Sequence, residues 1–196
     1  MIKNAQWIIE QAKNGMITPF VENQVRSDGK GSIYDIPMVS YGLGGFGYDI
    51  RLSKKEFKVF KHVPGQLLNP KSFHPKFLYN ADINFDGYGE YFILPHHTYG
   101  LGVSLERIKI PNNIEVLFIG KSTYARCGII VNMTPGEAGW RGHLTIEISN
   151  ASDADAMIYA NEGICQALFF EGEETSITYD GRKYQDQNEE VTLARV

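Results

Sequence analysis

The chain has 196 residues, with 19 Lys and Arg against 23 Asp and Glu, a formal net charge of −4. That length fits one domain, and 43% hydrophobic with 21% charged residues is ordinary globular composition that excludes wholesale disorder. The mild acidity argues against a nonspecific nucleic-acid coat, which needs clustered Lys and Arg, but leaves room for a small anionic ligand held by a few local cations.

The opening Met1-Ile2-Lys3-Asn4-Ala5-Gln6-Trp7 is polar and mixed and does not read as a signal peptide. Trp7, Ile8 and Ala12 recur at helical spacing and Gly15 follows as a stop, which predicts a short N-terminal helix. Residues 23–39 are polar and Gly/Ser-rich, through Asp28-Gly29-Lys30-Gly31-Ser32, and read as a loop. Gly42-Leu43-Gly44-Gly45-Phe46-Gly47 opens no strand–helix dinucleotide unit, so that fingerprint is discounted. Short β-branched or aromatic runs then alternate with turn residues and predict strands at 57–62, 91–95, 99–105, 114–119, 128–133, 144–149, 156–159, 167–170 and 176–179. Residues 80–90 carry Asn80, Asp82, Asn84, Asp86, Gly87 and Gly89, superficially like a calcium loop. The twelfth position counted from Asp82 is Ile93, which is not acidic, and no helix pair flanks the segment, so a surface loop is expected. Many short strands with little helix between them predict a sandwich, barrel or jelly roll. No internal repeat or second composition block divides residues 1–196, which read as a single domain. No apolar run reaches the ~18 residues of a membrane-spanning helix. Cys127 and Cys165 make no disulfide framework, and without Cys-x-x-Cys there is no zinc ribbon. A reduced, soluble, cytoplasmic protein is expected.

The most informative stretch runs from Ile119 to Asn150. Gly120-Lys121-Ser122-Thr123 invites a Walker A reading, but that motif needs Gly at position 115, where Glu115 stands, and Val116-Leu117-Phe118-Ile119 is strand. What remains is a strand ending in a Gly turn that presents Lys121, Ser122, Thr123 and Arg126. Such a turn suits phosphate oxygens, and a solvated polar turn fits equally. Leu144, Ile146 and Ile148 alternate with His143, Thr145, Glu147 and Ser149, so Glu147 lies mid-strand on the polar face. An exposed strand glutamate and a pocket-facing general base both fit this position. His62, His74, His96, His97 and His143 form no zinc-deaminase signature and no His-Glu-x-x-His, and no Gly-x-Ser-x-Gly elbow is present.

Taken together, Gly120-Lys121-Ser122-Thr123-Tyr124-Ala125-Arg126, Gly139-Trp140-Arg141-Gly142 and Leu144-Thr145-Ile146-Glu147 closely resemble the dCTP deaminase family of the dUTPase-like superfamily. Gly47-Tyr48-Asp49-Ile50-Arg51, Gly163 with Gln166, and Lys183-Tyr184-Gln185-x-Gln187 extend the resemblance from about residue 40 to 192, together with the opening helix. It implies an all-β, distorted jelly-roll or dUTPase-like β-barrel with a short N-terminal helix. It implies hydrolysis of dCTP to dUTP and ammonia without zinc, with Mg2+ entering on the triphosphate. Lys121, Ser122, Thr123, Tyr124, Ala125 and Arg126 would line the triphosphate and the reacting water. Thr145, Ile146 and Glu147 would hold the deoxycytidine, with Glu147 as general acid/base and Arg126 and Ser122 assisting. Gln166, Tyr179, Lys183 and Gln187 would contact the nucleotide, and a C-terminal segment, 179–196, would close over it.

The resemblance further implies a homotrimer with sites between subunits and makes dTTP a plausible inhibitor. Glu137 stands where many relatives have Asp, and the segment from Thr134 to Trp140 is shorter than in some of them. Three other functions stay open on the same fold: a bifunctional enzyme that carries dUTP on to dUMP and pyrophosphate, a plain dUTPase, and a catalytically silent nucleotide-binding regulator.

Overall fold

The computed structural model describes residues 1–29 and 35–196. It opens with helix α1 (Ala5–Lys13), which Asn4 caps by accepting a hydrogen bond from the Trp7 amide. Ile8 is fully buried and Trp7 packs against Phe169, ring centroids 6.0 Å apart, so the helix lies on the barrel wall.

Thirteen strands follow among the described residues: β1 (Ile17–Thr18), β2 (Val25–Ser27), β3 (Pro37–Leu43), β4 (Tyr48–Phe60), β5 (Leu78–Asn80), β6 (Ile83–Phe85), β7 (Glu90–Leu94), β8 (Tyr99–Lys109), β9 (Ile114–Gly120), β10 (Ile129–Asn132), β11 (Arg141–Asn150), β12 (Ala156–Tyr159) and β13 (Gly163–Glu171). A second helix, α2 (Ser122–Ala125), is a single turn between β9 and β10. The main sheet runs β10-β11-β8-β4-β13-β9, with β1, β3 and β5 attached along it, and β12-β7-β6 form a smaller sheet. Every pairing between these strands is antiparallel. The first and last strands of the path, β10 and β9, come back together: a Cβ on Gly120 would lie 3.2 Å from that of Val131. The sheet therefore curls into a barrel, which removes most of its exposed edge. Strand β4 serves both sides of it. Its start pairs β13, its end pairs β8 and β5, and a register shift between Leu52 and Phe57 bends it from one to the other.

The core fills the barrel with side chains that alternate along each strand. In β11, Leu144, Ile146 and Ile148 point inward while His143, Thr145, Glu147 and Ser149 stand on the other face. A buried ion pair joins β4 to β8: Arg51 donates Nε and its backbone amide to Glu106, at 2.6 and 2.8 Å. A separate small cluster, Leu78, Leu101 and Val191 with Phe60, Phe73, Tyr99 and Leu193, lies beneath the C-terminal arm.

Three expectations change. Residues 176–179, expected as a strand, form irregular chain whose Tyr179 amide bonds to the Ala138 carbonyl, so their polar groups are met outside any sheet. Within the expected loop 23–39, β2 and the start of β3 pair as a hairpin, and residues 30–34 lie outside the described residues. Residues 80–90 contain β6 and the start of β7, joined by a turn in which Asp86 accepts from the Tyr88 and Gly89 amides. The aspartate there makes a turn, which is the surface role expected of it.

Candidate active site

Strand β11 sits between β10 and β8, with Glu147 directly opposite Asn132 on one side and Leu101 on the other. Its carboxylate faces a pocket of about 1050 Å³. Phe60, Phe73 and Leu101 give it apolar walls, and Thr145, Gln187, Glu137, Tyr179, Arg182 and Lys183 line it with polar groups. Burial against these walls, with little compensating hydrogen bonding, raises the Glu147 pKa from 4.5 to about 7. Glu115, also on the pocket wall, is pushed up by burial and by the neighbouring charge of Glu137.

The C-terminal arm forms the pocket roof. Arg141 grips Asp186 through Nε and Nη2, at 2.8 and 2.9 Å, and reaches Asp180 at 3.1 Å. The Trp140 indole donates to the Tyr184 carbonyl, and Gln185 bonds both the Arg141 amide and the Gly139 carbonyl. Farther on, Thr145 Oγ1 donates to Gln187 Oε1 and accepts from the Thr192 amide, and Val191 is buried with its amide on Glu56. Gly142 makes the close approach possible: at φ +145, a Cβ there would stand 2.7 Å from the Gln187 nitrogen. Lys183 donates to the Arg195 carbonyl.

The sequence-predicted residues separate into two groups. Thr145, Glu147, Tyr179, Lys183 and Gln187 meet at the pocket. Lys121, Ser122, Thr123, Ala125, Arg126 and Gln166 do not line it. They lie at the end of β9, along α2 and on β13, where Ser122, Thr123, Ala125 and Arg126 are exposed. Tyr124 and Ile146 point their side chains into the core, and the Tyr124 hydroxyl accepts from the Tyr159 amide, so only their backbone faces outward. Asp49 and Arg141, given no role by the motifs, hold residues that were given one or the arm that roofs the pocket: Asp49 pairs with Lys121, and Arg141 with Asp186. For Asp49 the available signal was a carboxylate set between Tyr48 and Ile50, since a buried charge needs partners.

A curled antiparallel barrel of this order, with a carboxylate on a central strand under a C-terminal arm, defines an all-β barrel protein with a pocket-facing acid. Its fold is similar to the crystal structure of 2'-deoxycytidine 5'-triphosphate deaminase from Agrobacterium tumefaciens, with a TM-score of 0.57 over 87% of this chain at 14% identity. The chain spans about half of that one, 48%. The chain belongs to the dCTP deaminase-like family, which residues 2–172 match. Full-length relatives carry the same name: the dCTP deaminase of Herpetosiphon aurantiacus is 46% identical, over 100% of this chain and 99% of its own. That of Acinetobacter baumannii (strain AYE) is 45% identical over 99% and 98%, and that of Acidobacterium capsulatum 43% over 96% and 95%.

Proposed function

We propose that the protein hydrolyses dCTP to dUTP and ammonia. One observation carries the reading: Glu147, on a rigid central strand, faces the pocket with a pKa of about 7. A proton shuttle works best when its pKa lies near the operating pH. The names of the full-length relatives support the same substrate.

In this reaction water adds to the ring carbon that bears the amino group. Glu147 takes a proton from the water and delivers it to the adjacent ring nitrogen. A second transfer, from the added hydroxyl to the amine, lets ammonia leave and the carbonyl form. Arg126 favours the developing hydroxide by its fixed charge and Ser122 orients it, the kind of preorganisation worth roughly 3 kcal/mol. Thr145 and Gln187, already bonded to each other, hold the base end. Gln166, Tyr179 and Lys183 hold the sugar and phosphates. Among the described residues no three His, Cys, Asp or Glu side chains are grouped to hold a metal ion. Magnesium is expected to enter on the phosphate oxygens, where it would screen their charge.

The protein acts as a homotrimer with shared sites. Two observations support this. Ser122 and Arg126 lie outside the pocket that holds Glu147. The outer face of β9 and β13 exposes Leu117, Ile119 and Phe170 beside Gln166, an apolar surface that a second copy would cover. A neighbour seated there would bring its own pocket to the Lys121–Arg126 turn. The expected setting is the cytoplasm, with dTTP as an inhibitor; no described helix is long and apolar enough to cross a membrane.

The deciding experiment measures ammonia and pyrophosphate together from dCTP. Ammonia with dUTP as sole nucleotide product is the expected result. Pyrophosphate alongside ammonia would mark a bifunctional enzyme. Pyrophosphate from dUTP without ammonia from dCTP would mark a dUTPase, and binding without either product a regulator.

A further inference from the structure

The Gly-rich segment 42–47 and the aspartate that follows it have no part in the chemistry above, yet they build a socket. Asp49 is 2% exposed and lies directly opposite Gln166 across the β4–β13 ladder. Its carboxylate takes three donors: Lys121 Nζ at 2.6 Å and Gln24 Nε2 at 3.2 Å on Oδ2, and Gln166 Nε2 at 3.0 Å on Oδ1. Gln24 is itself oriented, because Arg26 donates to its Oε1 at 2.7 and 3.2 Å. Two glycines let the chain pass close to these side chains. A Cβ on Gly47 would lie 3.3 Å from Gln166 Cγ, and one on Gly163 3.2 Å from Lys121 Cδ.

The geometry points to Asp49 as the positioning carboxylate for nucleotide binding: it holds Lys121 and Gln166 in the orientation in which they meet the phosphates. This rests on the reading that those two side chains contact the nucleotide. The chemistry of each donor fits the role. Gln166 Nε2 carries two hydrogens; Asp49 takes one and the other is left for a ligand oxygen. The Lys121 side chain is 10% exposed and fixed at its head group, so it has little rotamer freedom left to lose when a phosphate arrives. A buried ion pair is weak grounds for stability, since an apolar pair of similar shape often does as well. A positioning role accounts for keeping three donors on one buried carboxylate beside an exposed cationic turn.

The test is a double-mutant cycle on the Kd for dCTP, run in protein that also carries Glu147→Gln so that turnover does not intervene. Asp49→Asn and Lys121→Ala are expected each to weaken binding about tenfold, and the double variant by the same factor of about ten in total, not about a hundredfold, because both act through one contact. Melting temperatures are recorded alongside, since a purely structural role would lower Tm and leave the Kd of the folded protein unchanged. An unchanged Kd in Asp49→Asn, or singles whose effects multiply, overturns the proposal. If Asp49→Asn does not fold, Asp49→Glu keeps the charge and displaces it by one methylene. Several-fold weaker binding is then expected, and unchanged binding overturns the proposal. Ammonia release by the wild type is measured separately, so a failure of the deamination reading is seen apart from a failure of the cycle.

Discussion

If Glu147 is the proton shuttle, its burial sets the pH dependence of the enzyme. Desolvation raises its pKa from 4.5 to about 7, and the carboxylate must be ionised to accept the proton of water. Activity is therefore lost as pH falls through about 7, not through the usual carboxylate range. The size of the effect follows directly: at pH 5 a group of pKa 7 is about 1% ionised, whereas one left at 4.5 would be about three-quarters ionised. The acid limb of kcat/KM for ammonia release should fall roughly a hundredfold between pH 8 and pH 5. The terminal phosphate of the nucleotide titrates in the same region, so the profile is corrected with the pH dependence of dCTP binding to Glu147→Gln. That variant keeps the fold and loses nearly all turnover, because an amide cannot take the proton. Linkage adds an independent check. The folded state holds the Glu147 proton more tightly than the unfolded chain does, so stability from this group is present below about 4.5 and declines as pH rises to about 7. Glu147→Gln should therefore raise Tm relative to wild type at pH 8 and leave it nearly unchanged at pH 4.5. An acid limb centred at or below about pH 5, or a Gln variant with more than about a tenth of wild-type turnover, would refute the reasoning.

Three further outcomes are expected. Arg126→Ala should lower kcat, because its charge meets hydroxide only as it develops, whereas Lys121→Ala should chiefly raise KM, by roughly 1.5–3 kcal/mol for a lost charged hydrogen bond; Arg126→Lys should resemble Arg126→Ala, since an ammonium cannot reproduce the guanidinium fork, and alanine variants that both alter only KM would remove Arg126 from the chemistry. Gly142→Ala should free the arm, since its Cβ would collide with the Gln187 backbone, and the readout is faster tryptic cleavage after Arg182 or Lys183 together with a raised KM for dCTP. In the wild type the same cleavage should slow when a nonhydrolysable dCTP analogue is bound, because phosphate contacts to Lys183 add to the few apolar anchors of the arm, of which Val191 is the buried one; equal rates with and without the analogue would separate the arm from the nucleotide.

The local pattern of the chain determined a good deal. Strict alternation from Leu144 to Ser149 settled both that β11 is a strand and which face Glu147 takes, because a period of two is a property of the backbone alone. The strand signals at 114–119 and 156–159 matched β9 and β12 for the same reason. The helix at Trp7 and its stop at Gly15, which adopts φ +81, were equally local. Where pairing partners lie far apart in sequence, local pattern ran out. Strands β3 and the first half of β4 border the Gly-rich segment 42–47 and form because they pair with each other and with β2, β13 and β8. Residues 176–179 have strand-like side chains, but the Tyr179 amide is taken by the Ala138 carbonyl in a loop and the segment stays irregular. The site divides along the same line. Motif order singled out Lys121 and Gln166, but only the barrel brings Asp49 opposite Gln166 and within 2.6 Å of Lys121, from residues 117 and 72 positions away. The pKa of Glu147 belongs to the tertiary structure alone. It follows from the desolvation imposed by walls drawn from β8, the β4–β5 loop and the C-terminal arm, and no alternation within β11 contains that information.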